Sequence, residues 1–146
     1  MKRSKRLQVV LDLAERRKKE ADKILGEAQG RVGQGEQTLE QLQNYYNEYV
    51  NSFYTAGASG VSLGQIQNHQ AFMQKLQAAI EQQRRAIQMD KAQLERAREH
   101  WQAAYGRHKA MDSLVEKAKA EEQVQQEKQQ QKVLDERSQF IRPPFI

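Results

Sequence analysis

Apolar residues recur along this chain at alternating spacings of four and three, and this repeat constrains the fold more than any other feature. In the first run, twelve of fourteen consecutive repeat positions are apolar, with Lys18 and Gly35 as the exceptions. Such a stripe on a polar background must be covered by another helix. The positions are Leu7, Leu11, Ala14, Lys18, Ala21, Leu25, Ala28, Val32, Gly35, Leu39, Leu42, Tyr46, Tyr49 and Phe53.

A second run of the repeat follows a short Gly- and Ser-rich segment, TAGASGVSLG, at residues 55–64. Ser62 followed by Gln65 is a capping-box pattern, which predicts a helix start near Leu63. The run ends after Ala118, where the repeat positions become Glu122, Gln125, Gln129 and Lys132. Its positions are Ile66, His69, Met73, Leu76, Ile80, Gln83, Ile87, Asp90, Leu94, Ala97, Trp101, Ala104, His108, Met111, Val115 and Ala118.

The two runs and the loop between them predict an all-α fold, a long antiparallel two-helix coiled-coil hairpin with an overhanging C-terminal helix segment. Facing residues should have numbers that add to about 117 for a turn near residue 58 or 59. Residues beyond about 115 then have no partner. Small residues of helix 1 would then face large residues of helix 2. The expected partners of Ala14, Ala21, Ala28 and Gly35 are Trp101, Leu94, Ile87 and Ile80, respectively.

The expected organisation is one coiled-coil domain over residues 1–146. Helix 1 should run from about 5 to 54, the loop over 55–62, helix 2 from about 63 to 139, and the tail over 140–146. Pro143 and Pro144 are the only prolines, and neither permits the helix to continue through it.

The composition argues against a compact enzyme, because only 38% of residues are hydrophobic and there is no cysteine. The lack of cysteine excludes disulfides and thiolate metal sites. No apolar run approaches the roughly 20 residues that a membrane-spanning helix needs, and no secretory signal is apparent. We therefore expect no catalytic residues, cofactor or metal.

The histidines and glycines do not change that expectation. His69 and His108 occupy repeat positions, where we expect hydrogen-bonded interfacial side chains. Phosphate-binding loop motifs are absent. The cluster of Gly26, Gly30, Gly33 and Gly35 lies within the predicted helix 1 and indicates close helix approach or local softness.

Positive charge is concentrated at the N-terminal end. Residues 1–25 contain nine Lys/Arg and four Asp/Glu, and the remaining residues contain fifteen of each. These cations could contact nucleic acid, a membrane surface or an acidic protein, or could be a solvated flank. No aromatic residues interleave them, so stacking on single-stranded nucleic acid is unsupported.

Aromatic residues cluster just before the loop, where Tyr45, Tyr46, Tyr49, Phe53 and Tyr54 lie within ten residues. The expected pairing puts Tyr45 opposite Phe72, beside the repeat positions. Exposed aromatic surface on two helices predicts a docking site, although the rings could instead fold over their own interface.

Several stretches resemble the flagellar export protein FliJ family, a component of the bacterial type III export apparatus. They are LDLAE at 11–15, ILGEAQ at 24–29, LEQLQNYYNEY at 39–49 and QNHQAFMQKLQAAIEQQR at 67–84. Trp101 stands where the family commonly has a tryptophan. Thr38 and Gln83 depart from the Gln and His that relatives often carry.

The resemblance implies a non-enzymatic stalk linking the export ATPase ring to the cytoplasmic domain of the export-gate membrane protein, and assisting export chaperones. It places the protein in the cytoplasm, at the inner face of the cell membrane at the flagellar base and held there through its partners. The gate-binding residues map onto a loop-end patch: Leu42, Tyr45, Tyr49, Phe72, Leu76 and Ala79. The paired termini would enter the ring, so the expected ring contacts are the terminal cations: Lys2, Arg3, Lys5, Arg6, Arg16 and Arg17.

Two other functions stay open at this point. One is a basic coiled coil that binds nucleic acid, although the resemblance implies no nucleic-acid partner. The other is the equivalent stalk of a virulence type III secretion system, which has the same physical features. Two chains could also exchange helices into a dimer.

Overall fold

The computed structural model describes residues 2–141 and contains two helices, α1 (Arg3–Gly57) and α2 (Leu63–Ile141). No strand occurs in this range. The all-α prediction is confirmed. The expected stop at Pro143–Pro144 lies outside the described residues, and the single domain stays a prediction.

The repeat positions of α1 lie against α2. All fourteen are buried or half-buried, while most of their neighbours are exposed. Ala21 and Ala28 are the most completely covered, at 0% and 1% exposure. The apolar repeat therefore identified the packed face of α1 correctly, including at Lys18 and Gly35.

The repeat positions of α2 are likewise buried or half-buried from Ile66 to Ala118. Every residue from 123 to 140 is exposed. We call residues 123–141 the overhang, and it confirms the predicted unpaired end of the second helix. Neither helix offers a stretch long and apolar enough to cross a membrane within the described residues.

The connection between the helices is short. Gly60 has a φ of +97°, a left-handed backbone conformation that glycine adopts without steric cost. Gln65 N donates to Ser62 Oγ at 3.2 Å, and Ser62 N donates to Gln65 Oε1 at 2.9 Å. These reciprocal bonds are the predicted capping box, and they start α2 at Leu63.

Tertiary contacts divide the chain into two compact units. The first combines Met1–Glu20 with Gln102–Ile146, and the second is Ala21–Trp101. Each unit pairs a stretch of α1 with a stretch of α2. The first buries Leu11, Ala14, Ala104, Val115 and Ala118. The second buries Ala21, Ala28, Met73, Leu76, Ile80, Ile87 and Ala97.

The pairing of small with large residues differs from the expected one by a heptad in the second unit. A Cβ placed on Gly35 would lie 3.2 Å from Ile87 Cγ1, so Gly35 faces Ile87 and not Ile80. Asp22 accepts a hydrogen bond from the Trp101 indole N–H, which puts Trp101 beside Ala21 and not Ala14. The loop is centred nearer residue 60, which shifts the facing residues.

The first unit also extends further along α2 than expected. Ala118 is 3% exposed, and Ser4 is bonded to Glu122. The prediction that pairing stops near residue 115 is therefore wrong. Ser4 continues the repeat three residues before Leu7, so the packed face of α1 begins earlier than the apolar residues indicated.

Candidate functional surfaces

The loop-end patch is a set of side chains from both helices of the second unit. Tyr49 and Phe72 approach most closely, with ring centroids 4.4 Å apart, and Tyr45 meets Phe72 edge-on at 6.2 Å. This confirms the expected proximity of Tyr45 and Phe72. Tyr45 and Tyr49 are four residues apart and therefore neighbours on one side of α1, where both meet Phe72 of α2.

The members of the patch differ in their accessibility. Tyr45 is 49% exposed, whereas Leu76 is 7% exposed and lies beneath the surface. Leu42, Tyr49, Phe72 and Ala79 are half-buried. The rings thus partly cover their own interface, as one interpretation expected, and still leave an aromatic edge at Tyr45.

The two departures from the family pattern have local partners. Thr38 Oγ1 donates to Gln34 O at 3.0 Å within α1. Gln83 Nε2 donates to Gly35 O at 3.0 Å across the helix pair. Gln83 is thus engaged in joining the two helices.

His69 is stacked on two aromatic rings beside the patch. Its ring lies 3.7 Å from that of Phe53 and 5.3 Å from that of Tyr49, nearly parallel to both. Its Nδ1 is buried and has no hydrogen-bond partner among the described residues. The expectation of an interfacial histidine is correct, but the expectation that it is fully hydrogen-bonded is wrong.

The terminal cations are exposed, and all except Lys2 lie on α1 in the first unit. Arg3 is 3.8 Å from Glu121, and both side chains are more than half exposed. Among the described residues, no ion pair engages Arg6, Arg16 or Arg17. These three guanidinium groups are available to an anionic partner.

A polar contact between Ser4 and Glu122 lies at the end of the packed face in the first unit. The sequence analysis did not predict it. Glu122 Oε1 accepts from Ser4 N at 2.9 Å, and Glu122 Oε2 accepts from Ser4 Oγ at 2.6 Å. Since Ser4 N belongs to the first turn of α1, the carboxylate satisfies a backbone donor that the helix itself cannot. The hydroxyl and then the backbone N–H of Ser4 lower the pKa of Glu122 below its ordinary value. The continued repeat through Ser4 and Glu122 was the signal that could have revealed it.

Open grooves lie along the two helices, such as the one lined by Tyr46, Tyr54, His69 and Met73. In the described part of the chain, no group of three His, Cys, Asp or Glu residues is placed to hold a metal ion.

Comparison with known proteins gives one consistent result. The family described as "Flagellar FliJ protein" matches residues 3–142. The flagellar FliJ protein of Salmonella typhi is 30% identical over 130 residues, covering 89% of this chain and 88% of that protein. The flagellar FliJ protein of Escherichia coli (strain K12) is 29% identical over 130 residues with the same coverage.

Proposed function

Because the chain belongs to the flagellar FliJ protein family, whose members are components of the flagellar export apparatus, we propose that it acts as a non-enzymatic stalk. The stalk links the export ATPase ring to the cytoplasmic domain of the export-gate membrane protein and assists export chaperones. It works in the cytoplasm at the inner face of the cell membrane at the flagellar base, held there by its partners.

The proposal rests on one observation, which is that an aromatic residue stays exposed although the interface between the helices is already filled. Two helices have a single shared face, and the repeat positions fill it. Tyr45 lies outside that face, half exposed and edge-on to Phe72. An aromatic edge that packing does not require supports a protein contact at the loop-end patch.

The proposed gate contact therefore consists of Tyr45 and Phe72 as the main side chains, with Tyr49, Leu42 and Ala79 around them. Leu76 supports the patch from below, since it is nearly covered. The proposed ring contact consists of the terminal cations, of which Arg6, Arg16 and Arg17 have no internal ion pair among the described residues.

The gate contact is tested by replacing Tyr45 and Phe72 with Ala and measuring the affinity for the purified cytoplasmic domain of the gate protein. We expect a loss of about tenfold or more, as for central aromatic contacts in other interfaces. Each ring pair contributes about 0.5–1.5 kcal/mol beyond the area it buries, and the variant also removes the half-buried Phe72 ring from Tyr49. Binding is therefore measured at a temperature where circular dichroism shows the variant to be as helical as the wild type.

The matched control replaces Tyr54 and Met89 with Ala. Both lie in the second unit outside the patch and are 72% and 67% exposed. Gate affinity should be unchanged in this control. Equal affinity of the patch variant and the control at matched helicity would refute the assignment of the patch.

A further inference from the structure

An exposed apolar cluster on one side of the first unit has no role in the packed face or in the proposed contacts. The Arg3–Glu121 ion pair identifies this side, because it joins α1 to α2 there. Val10 is seven residues after Arg3, and Leu114 is seven residues before Glu121. Both therefore lie on the same side of the helix pair.

This cluster, which we call the side patch, contains Val10, Leu13, Ala110 and Leu114. Val10 is 47% exposed, Leu13 45% and Leu114 41%. Both helices therefore contribute apolar residues to this side, and these residues are in contact with water.

Cations surround the side patch. On α1, Arg6 lies four residues before Val10 and Arg17 lies seven residues after it. On α2, Arg107 lies seven residues before Leu114 and Lys117 lies three residues after it. All four are exposed, and none has an ion pair among the described residues. The acidic residues on this side are Glu20 and Glu121, and Glu121 is already paired with Arg3.

From this arrangement we infer that the side patch binds an amphipathic helix of a partner protein, with apolar residues on one face and Asp or Glu beside them. Such a helix lays its apolar side into a groove between two helices. Its acidic flanks meet the four cations, which gives charge complementarity and orientation.

A membrane surface fits the side patch less well. Helices that bind anionic bilayers bury one apolar face, rich in Trp, Phe and Leu, in the headgroup region. The side patch has no aromatic residue, and its apolar residues are divided between two helices. The inference is separate from the proposed ring contact, with which it shares only Arg6 and Arg17.

The test uses the full chain and a fluorescent peptide of about 21 residues, built as three heptads with Leu at the first and fourth positions and Glu beside them. A second peptide carries Lys in place of Glu. The variant Val10→Ser with Leu114→Ser removes the apolar centre and leaves the cations intact. The control variant Val133→Ser with Leu134→Ser makes the same change on the exposed overhang.

We expect the wild type and the control variant to bind the Glu peptide and the V10S/L114S variant to bind it about tenfold more weakly. The Lys peptide should not bind. Arg107→Gln with Lys117→Gln should weaken binding and reduce its dependence on salt. Thermal unfolding of each variant establishes that the helix pair is intact.

Several results would overturn the inference. One is failure of the Glu peptide to bind, or binding that V10S/L114S leaves unchanged. Equal binding of the Lys peptide is another. Binding of vesicles of phosphatidylcholine and phosphatidylglycerol that V10S/L114S abolishes would assign the side patch to a membrane surface. Self-association of the wild type that V10S/L114S abolishes would assign it to a second copy of the chain.

Discussion

Gly35 differs from the three glycines that precede it in α1. A Cβ at Gly35 would lie 3.2 Å from Ile87 Cγ1, whereas a Cβ at Gly26, Gly30 or Gly33 would meet nothing within 4 Å. Packing therefore explains Gly35, and it explains none of the other three. Of the two interpretations of the glycine cluster, close helix approach applies to Gly35, and local softness stays a prediction for the other three.

This difference predicts unequal effects of alanine at two positions. Gly30→Ala should stabilise the protein by about 0.5–1 kcal/mol, because alanine loses less conformational entropy in a helix. Gly35→Ala gains the same entropy but presses on Ile87, which is 4% exposed and has little room to move. We expect it to be destabilising by about 1 kcal/mol or more relative to Gly30→Ala.

Urea unfolding followed by circular dichroism measures both free energies. Gly33→Ala provides the control, since its Cβ also meets open space, and should behave as Gly30→Ala does. Equal stabilisation by Gly30→Ala and Gly35→Ala would show that the helices do not approach closely at Gly35.

At the scale of the helices, the sequence predicted which face of each helix is packed but not which residues face one another. A heptad repeat looks the same after a shift of seven residues, so the apolar pattern could not separate Ile80 from Ile87 as the partner of Gly35. The loop decides between them. Its centre could be estimated only to within a few residues, because Gly57, Gly60 and Gly64 are all plausible turn positions.

In the loop-end patch, too, the sequence predicted some of the contacts and not others. The repeat put Tyr49 on the packed face, and the expected pairing put Tyr45 beside Phe72, as found. The stacking of His69 between Tyr49 and Phe53 could not be predicted, since it depends on side-chain rotamers. The contact of Ser4 with Glu122 could not be predicted from the repeat, because both residues are polar and the repeat is defined by apolar ones.

That contact joins the start of α1 to α2 and should make stability depend on pH. The pKa of Glu122 is lowered in the folded protein from an ordinary value near 4.5. The unfolded chain therefore binds a proton more readily. The stabilising contribution is present above the ordinary pKa and is lost as the pH falls through the lowered pKa.

We predict that acidification from pH 6 to pH 3 lowers the melting temperature of the wild type more than that of Glu122→Gln, which carries no carboxylate at this position. Glu136→Gln, on the exposed overhang, should respond as the wild type does. Thermal unfolding by circular dichroism at the two pH values measures the difference. An identical pH response in Glu122→Gln and the wild type would contradict a stabilising role for the carboxylate.

For the whole molecule, the distribution of charge is the property that neither packed face explains. The first 25 residues carry the entire excess of Lys and Arg, and the rest of the chain is balanced. Helix pairing does not require this excess, because Arg6, Arg16 and Arg17 are exposed and form no ion pair in the described range. Exposed unpaired cations contribute little to folding, so their concentration at one end favours an interaction outside the chain.

The corresponding prediction concerns binding to the export ATPase ring. Replacing Arg6, Arg16 and Arg17 with Gln should weaken binding by about tenfold or more at low salt and should flatten its dependence on ionic strength. Folding should be unaffected, because none of the three side chains is buried. Both effects, the weaker binding and its flatter salt dependence, are measured by determining the affinity from about 0.05 to 0.5 M salt. The Debye length falls over this range from above about 10 Å to below about 5 Å.

The control removes the same number of positive charges from the overhang, by replacing Lys128, Lys132 and Arg137 with Gln. All three are exposed and lie on the unpaired part of α2. If net charge alone attracted the ring, both variants would lose affinity equally, and the terminal cations would have no special role. Loss confined to the variant of Arg6, Arg16 and Arg17 would instead locate the contact at the start of α1. The same salt series with duplex DNA in place of the ring tests the nucleic-acid alternative, for which we expect no binding beyond the weak attraction of any basic surface.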